Sequence, residues 1–197
     1  GGELKKPEVK AAWEAVDTLA KKSICLRRTF QVGDAKEGGA NRKPGKKIVE
    51  ATAYVCGLGF YEFSLNGQKV GNSEFAPLWS DYDKTVYYNT YDVTEQLRRG
   101  ENVVGILLGN GFYNVQGGRY RKLQISFGPP TLLFELVINY EDGTRETIRS
   151  DQEWKYDLTP ITFNCIYGGE DYDARREQKG WNQVGFNDSH WRPVVVQ

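Results

Sequence analysis

The chain has 197 residues, 39% hydrophobic and 13% aromatic, and its 26 Lys+Arg balance 26 Asp+Glu to a formal net charge of zero. A neutral chain lacks the basic stripe that displaces counterions from phosphates, which argues against a nucleic-acid partner. No apolar run approaches the roughly 18 residues of a membrane span, and no signal peptide opens the chain. Gly1 and Gly2 read as a cloning scar, so the sequence does not fix the compartment. Residues 7–22, PEVKAAWEAVDTLAKK, predict a helix with one narrow apolar stripe, Val9, Trp13, Val16 and Leu19. This lead-in, 1–22, either docks on the domain that follows or arrives from a preceding segment.

A first strand is expected at 24–32, followed by the glycine- and lysine-rich GDAKEGGANRKPGKK, whose lack of apolar periodicity marks a solvated loop. In 60–65, Tyr61, Phe63 and Leu65 share one face while Glu62 and Ser64 take the other. Asn66-Gly67 is a strong signal for a type I′ hairpin turn, which needs positive φ at both central residues. Residues 84–93 alternate bulky and polar, 94–97 turn, and 103–108 are apolar on both faces, as in a central strand. A hairpin around Glu141-Asp142-Gly143 joins 131–140 to 143–150. Further strands are expected at 154–158, 161–167 and 171–175. Many short strands with regular turns give an all-β antiparallel sandwich of jelly-roll type over 23–197.

Catalytic material is sparse. Cys25, Cys56 and Cys165 are too scattered for a disulfide framework or a Cys-x-x-Cys zinc site. Cys56 lies in an apolar strand pattern, and structural thiols are the favoured reading, with one pairing involving Cys25 left open. His190 is the single histidine, so a His-centred triad or a multi-histidine metal site has almost no material.

Several pieces, in order, carry a family resemblance: Gly57-Leu-Gly-Phe-Tyr-Glu, Leu65-Asn-Gly with Val70-Gly, Ala76-Pro-Leu-Trp-Ser-Asp-Tyr, and Tyr91-Asp-Val-Thr. Gly100-Glu-Asn, Leu108-Gly-Asn-Gly-Phe-Tyr, Ile166-Tyr-Gly-Gly-Glu-Asp-Tyr-Asp-Ala-Arg, Gly180-Trp and Phe186-Asn-Asp-Ser-His-Trp-Arg-Pro follow. From about residue 24 to 196 the chain resembles the N-terminal β-domain of bacterial α-L-rhamnosidases. The resemblance implies a non-catalytic module of a multidomain glycoside hydrolase, periplasmic or secreted. It also implies a downstream catalytic (α/α)6 barrel that carries the acid and base carboxylates and removes terminal L-rhamnose. Some related domains hold L-rhamnose through a bound calcium ion. Here Asn72 stands where such sequences commonly carry Asp, Leu78 where Gly is usual, and Phe112 where Trp is usual. An amide in place of a carboxylate weakens a site for a hard cation.

Sugar recognition needs a planar aromatic against the C–H face of the ring and polar groups that reach paired hydroxyls. Two loops combine these: 72–81, with Asn72, Ser73, Trp79 and Asp81, and 110–119, with Asn110, Tyr113, Asn114 and Arg119. If they meet at one end of the sandwich they form a shallow site for an L-rhamnose-containing glycan. No cofactor is required, though calcium near Asn72 and Ser73 could bridge vicinal hydroxyls. The structural alternative makes Trp79 a core plug, Asn110 a left-handed turn residue and Asn102 a loop pin. Glu170, Asp171 and Asp173 lack the opposed geometry of a glycosidase pair, because Asp171 and Asp173 would project side by side from one strand. A polar strand face, or an ion pair with Arg175 or Arg176 at a boundary between domains, is the better account. A purely structural scaffold against the barrel is the alternative function.

Overall fold

The computed structural model describes residues 22–33, 46–115 and 123–196. The helix expected over 7–22 and the site candidate Arg119 lie outside the described residues, except for Lys22.

Fourteen strands are described. They are β1 (Ile24–Val32), β2 (Ile48–Leu58), β3 (Tyr61–Leu65), β4 (Gln68–Lys69), β5 (Asn89–Asp92), β6 (Gly100–Leu108) and β7 (Asn114–Val115). The second half holds β8 (Ile125–Ser126), β9 (Thr131–Tyr140), β10 (Arg145–Arg149), β11 (Lys155–Leu158), β12 (Ile161–Cys165), β13 (Gly169–Tyr172) and β14 (Arg192–Pro193). One antiparallel sheet runs β14-β11-β1-β6-β3-β4 and the other β10-β9-β2-β5. Between β1 and β11 the chain shuttles from sheet to sheet, as a jelly-roll-type sandwich requires. β12 with β13, and β7 with β8, form small ribbons outside the two sheets.

Alternation decides what the sheets bury. Leu26, Phe30 and Val32 of β1, Tyr61, Phe63 and Leu65 of β3, and Val104, Ile106 and Leu108 of β6 meet Ala51, Ala53 and Val55 of β2. Phe134, Leu136, Ile138 and Tyr140 of β9 and the side chain of Trp154 complete the same core. Burying each of the larger of these side chains contributes on the order of 1.5–3 kcal/mol. Asn66 and Gly67 have φ of 53° and 81°, the two positive values of the expected turn. Asn102 pins its loop, accepting from the Arg98 amide at 2.9 Å and from Asn66 Nδ2 at 2.8 Å.

β6 is central, between β1 and β3, and both its faces are covered. The second cover is the segment 178–191, which crosses the outer face of the six-stranded sheet before the chain joins that sheet's edge as β14. A β-carbon on Gly105 would meet Asn182 at 2.7 Å and Trp181 at 3.0 Å, so the glycine is what lets the segment lie flat. Asn182 Nδ2 donates to Ser64 Oγ at 3.1 Å, which explains why the polar-face Ser64 is buried. Arg27, also buried, pairs with Asp188 and donates to the Gln183 carbonyl at 3.2 Å. Lys155 holds the same carboxylate at 2.7 Å.

Three expectations change. The strand expected at 84–93 is confined to Asn89–Asp92, because the Asp81 carbonyl accepts from the Lys84 and Thr85 amides and turns the chain there. The strand expected at 161–167 stops at Cys165, whose carbonyl accepts from Gly168 in a turn. The strand expected at 171–175 ends at Tyr172, because Asp173 caps a short 3-10 helix at Ala174–Arg176, accepting from the Arg175 amide. Asp171 and Asp173 therefore do not share a strand face. All three cysteines are free and buried, so Cys25 has no pairing. Burial, helped by the nearby Asp157 charge, pushes the Cys25 thiol up to about 12.

Candidate functional site: an exposed aromatic rim

Two glycine-rich corners meet to build one edge of the molecule. The Gly59 corner joins β2 to β3, and the 109–113 loop leaves β6. Gly109 donates its amide to the Phe60 carbonyl at 2.8 Å. A β-carbon on Gly111 would come within 2.8 Å of the Phe60 nitrogen. Only bare backbone permits this approach, and it sets the Phe60 and Phe112 rings edge to face at 6.0 Å.

The loop between β4 and β5 joins them. Tyr61 donates its amide to the Ala76 carbonyl at 2.8 Å, which fastens the loop to β3 just before the cis Ala76–Pro77 bond. Trp79 then stacks on Phe112, centroids 5.2 Å apart and planes 24° apart. Phe75 approaches Phe60 at 5.5 Å, and Tyr167, from the β12–β13 turn, meets Phe112 edge-on at 6.1 Å. The outer members stay in water: Phe75 is 71% exposed, Leu78 78%, Trp79 65% and Tyr167 48%. Trp79 is thus a surface platform and not a core plug. Contiguous exposed aromatics of this kind mark contact surfaces.

The predicted loops do come together, through Trp79 and Phe112, but their residues divide. Asn110 and Asn114 are fully buried. They belong to a chain of amides and hydroxyls: Asn114 Nδ2 donates to Asn110 Oδ1 at 2.8 Å, and Asn110 Nδ2 to the Asn164 carbonyl at 3.2 Å. Asn164 Oδ1 accepts from the Asn110 amide at 2.8 Å, and Ser126 Oγ donates to Asn114 Oδ1 at 2.8 Å. Asn110 has no positive φ, so it holds its loop through this network and not through a left-handed turn. Tyr113 stacks on Phe127 at 5.8 Å, meets Tyr82 at 5.1 Å, and donates its hydroxyl to the Phe127 carbonyl at 3.2 Å. Burial pushes the Tyr113 phenol up.

Asn72 and Ser73 are exposed on the rim's loop. Asp81 is half-exposed and paired with Lys84 at 2.8 Å. Glu74 pairs with Lys69 at 2.8 Å. An amide, a hydroxyl and carboxylates already tied to lysines are a poor donor set for calcium, which prefers several unencumbered carboxylate oxygens. Among the described residues no group of three or more His, Cys, Asp or Glu side chains could hold a metal.

Glu170 is exposed and Asp171 half-buried on the ribbon that carries Tyr167. Arg175 grips Asp173 through two bonds, at 2.8 and 2.9 Å, and Arg176 approaches at 3.4 Å. These arginines, Arg175 foremost, hold the Asp173 carboxyl below its ordinary range. Sequence reasoning did not single out Phe75 or Tyr167 as rim members. Their signal was the glycine and proline punctuation beside them, which places aromatics on corners.

Fold and rim together describe a two-sheet β-sandwich module with an aromatic contact edge. Residues 46–197 match the family described as "Alpha-L-rhamnosidase N-terminal domain". The chain belongs to that family. It is 47% identical over 150 residues to an α-L-rhamnosidase of Formosa agariphila, covering 74% of this chain and 16% of that relative. The solved structure of Streptomyces avermitilis α-L-rhamnosidase complexed with L-rhamnose superposes with a TM-score of 0.74 at 35% identity, over 89% of this chain and 16% of that one. The native α-L-rhamnosidase of Aspergillus terreus gives 0.75 at 37% identity, over 89% and 20%.

Proposed function

We propose that this domain is a non-catalytic accessory module of an α-L-rhamnosidase, a glycoside hydrolase, and that it takes a terminal L-rhamnose unit on the aromatic rim. The observation that carries this reading is the outward exposure of Trp79 on a stack braced from behind by Phe112. The C–H face of a deoxyhexose covers such a ring, and Asn72 and Ser73 supply neutral donors and acceptors for its hydroxyls. A single exposed stack gives weak binding, about −4 to −6 kcal/mol, in the high micromolar to millimolar range. Catalysis belongs to a domain downstream in the parent chain. We place the contact with that domain on the β12–β13 ribbon with Glu170 and Asp171, beside the Asp173–Arg175 pair.

A second reading has support in the exposure of Phe75 and Leu78, which exceeds what one sugar ring covers. In that reading the rim packs on the catalytic domain and holds no ligand. Calorimetric titration of the chain with L-rhamnose, in calcium and in chelator, separates the two. Heat that saturates at millimolar sugar and disappears in Trp79→Ala supports the module; no heat from the native chain supports the scaffold. Equal affinity in both buffers means that no ion is used.

A further inference from the structure

A polar cavity opens on the outer face of the six-stranded sheet, beside the 178–191 segment. It measures about 360 Å³ and is walled by Arg27 and Thr29 of β1, Glu101 of β6, Lys155 of β11, and Phe186. That is the small end of ligand sites, which run from about 300 to 1,000 Å³, and it suits one sugar ring. The segment covers the sheet at Gly105 and Arg27, but Glu101, near the start of β6, stays exposed. Phe186 is held in place: the Arg27 guanidinium lies over its ring at 5.4 Å, and Trp191 meets it edge-on at 5.9 Å.

We propose that this cavity is a second carbohydrate site, for one neutral, fully hydroxylated hexose unit. Charge decides for a neutral ligand. Arg27 and Lys155 are spent on Asp188, and Arg28 on Glu153, so an anion would meet cations already neutralised, beside the Glu101 carboxylate. The Glu101 carboxylate and the Thr29 hydroxyl have no partner among the described residues. A carboxylate accepts from two adjacent sugar hydroxyls, and the threonine hydroxyl both donates and accepts. Lys155 keeps N–H donors beyond the one that Asp188 takes at 2.7 Å. Phe186 is the single apolar side chain of the wall and offers a ring to a C–H face. A wall otherwise polar fits a sugar that retains every hydroxyl, in contrast to the apolar rim and its deoxyhexose. The two sites are separate. β6 starts beside the cavity at Glu101 and ends at the rim corner with Leu108, so at ~3.3 Å per residue about 23 Å of strand divides them.

Chemical-shift titration of the ¹⁵N-labelled Trp79→Ala chain with methyl α-D-glucoside, methyl α-D-galactoside and methyl α-D-mannoside tests this with the rim disabled. At least one of these sugars gives saturable shifts at tens of millimolar or below, centred on the amides of Thr29, Glu101, Lys155 and Phe186. Glu101→Ala in the same chain weakens that binding about 10-fold or more, the loss expected when a hydrogen bond to a charged group is removed. Its Tm is unchanged, because Glu101 is exposed. Shifts from none of these sugars, or an affinity that Glu101→Ala leaves unaltered, overturn the proposal. Tighter binding of sulfate or D-glucuronate than of every neutral sugar also overturns it, in favour of an anion site.

Discussion

Gly59 and Gly109 touch through bare backbone: a β-carbon on Gly59, whose φ is +128°, would fall 2.0 Å from the Gly109 carbonyl oxygen. These two residues come from separate glycine motifs fifty positions apart, and their contact is what brings Phe60 and Phe112 into one rim. Gly59→Ala should therefore destabilise the domain by about 3 kcal/mol or more, through both clash and backbone strain. Gly143 also has positive φ, but nothing lies within 4 Å of its added β-carbon. Gly143→Ala should cost only about 1 kcal/mol. Urea unfolding of both variants, compared at equal m-values, checks the contrast.

The amide chain beneath the rim predicts a different signature. Asn110→Ala removes the 2.8 Å bond that its Oδ1 accepts from the buried Asn114 amide and the 3.2 Å bond that its Nδ2 donates to the Asn164 carbonyl. Each buried bond lost costs about 1–2 kcal/mol, so a loss of about 2–4 kcal/mol is expected. Ser126→Ala removes one donor at the end of the chain and should cost about 1 kcal/mol. Thermal melts of the two variants measure the difference.

Asp188 ties the C-terminal segment to the sheet and makes it acid-sensitive. Partial burial opposes ionisation of its carboxyl, but the Lys155 hydrogen bond and the Arg27 charge outweigh that and hold it below the ordinary 3.8. Because the folded carboxyl ionises at lower pH than the unfolded one, its contribution is complete above about pH 4. It is then lost as the pH falls through the folded value. Asp188→Asn should be less stable than the native chain at pH 7, and the gap should close toward pH 2. Urea midpoints across that range test this; a gap that stays constant with pH would count against the ion pair.

What the sequence made legible was local. The turn at Asn66-Gly67, the bounds of β1 and β9, and the inward face of β3 followed from alternation and turn chemistry. The sequence puts Cys56 on a strand without fixing the bounds of β2, because the alternation there mixes Ala, Thr and Tyr. Long-range cover was not legible. Ser64 and Arg27 look like solvent-facing residues in a strand pattern, and only the segment at 178–191, more than a hundred residues away, buries them. The same holds in the site: the sequence leaves the meeting of 72–81 with 110–119 as a condition and Trp79 open between platform and core plug, and Asn110 and Asn114 look like surface ligands. Nothing local distinguishes an amide that meets a sugar from one that meets Asn164. Asp173 was misplaced because a capping carboxylate and a strand carboxylate have the same sequence appearance.

The most direct measurement of the central claim is a chemical-shift titration of the ¹⁵N-labelled chain with L-rhamnose, with and without calcium. The account predicts saturable shifts at millimolar sugar, confined to the Trp79 indole, the amides of 72–81 and the Phe112 corner. Trp79→Ala should lose most of the affinity while its Tm stays within about 2 °C, because the ring is 65% exposed. Shifts that map to another face, or none at tens of millimolar sugar, would contradict a rhamnose-binding rim.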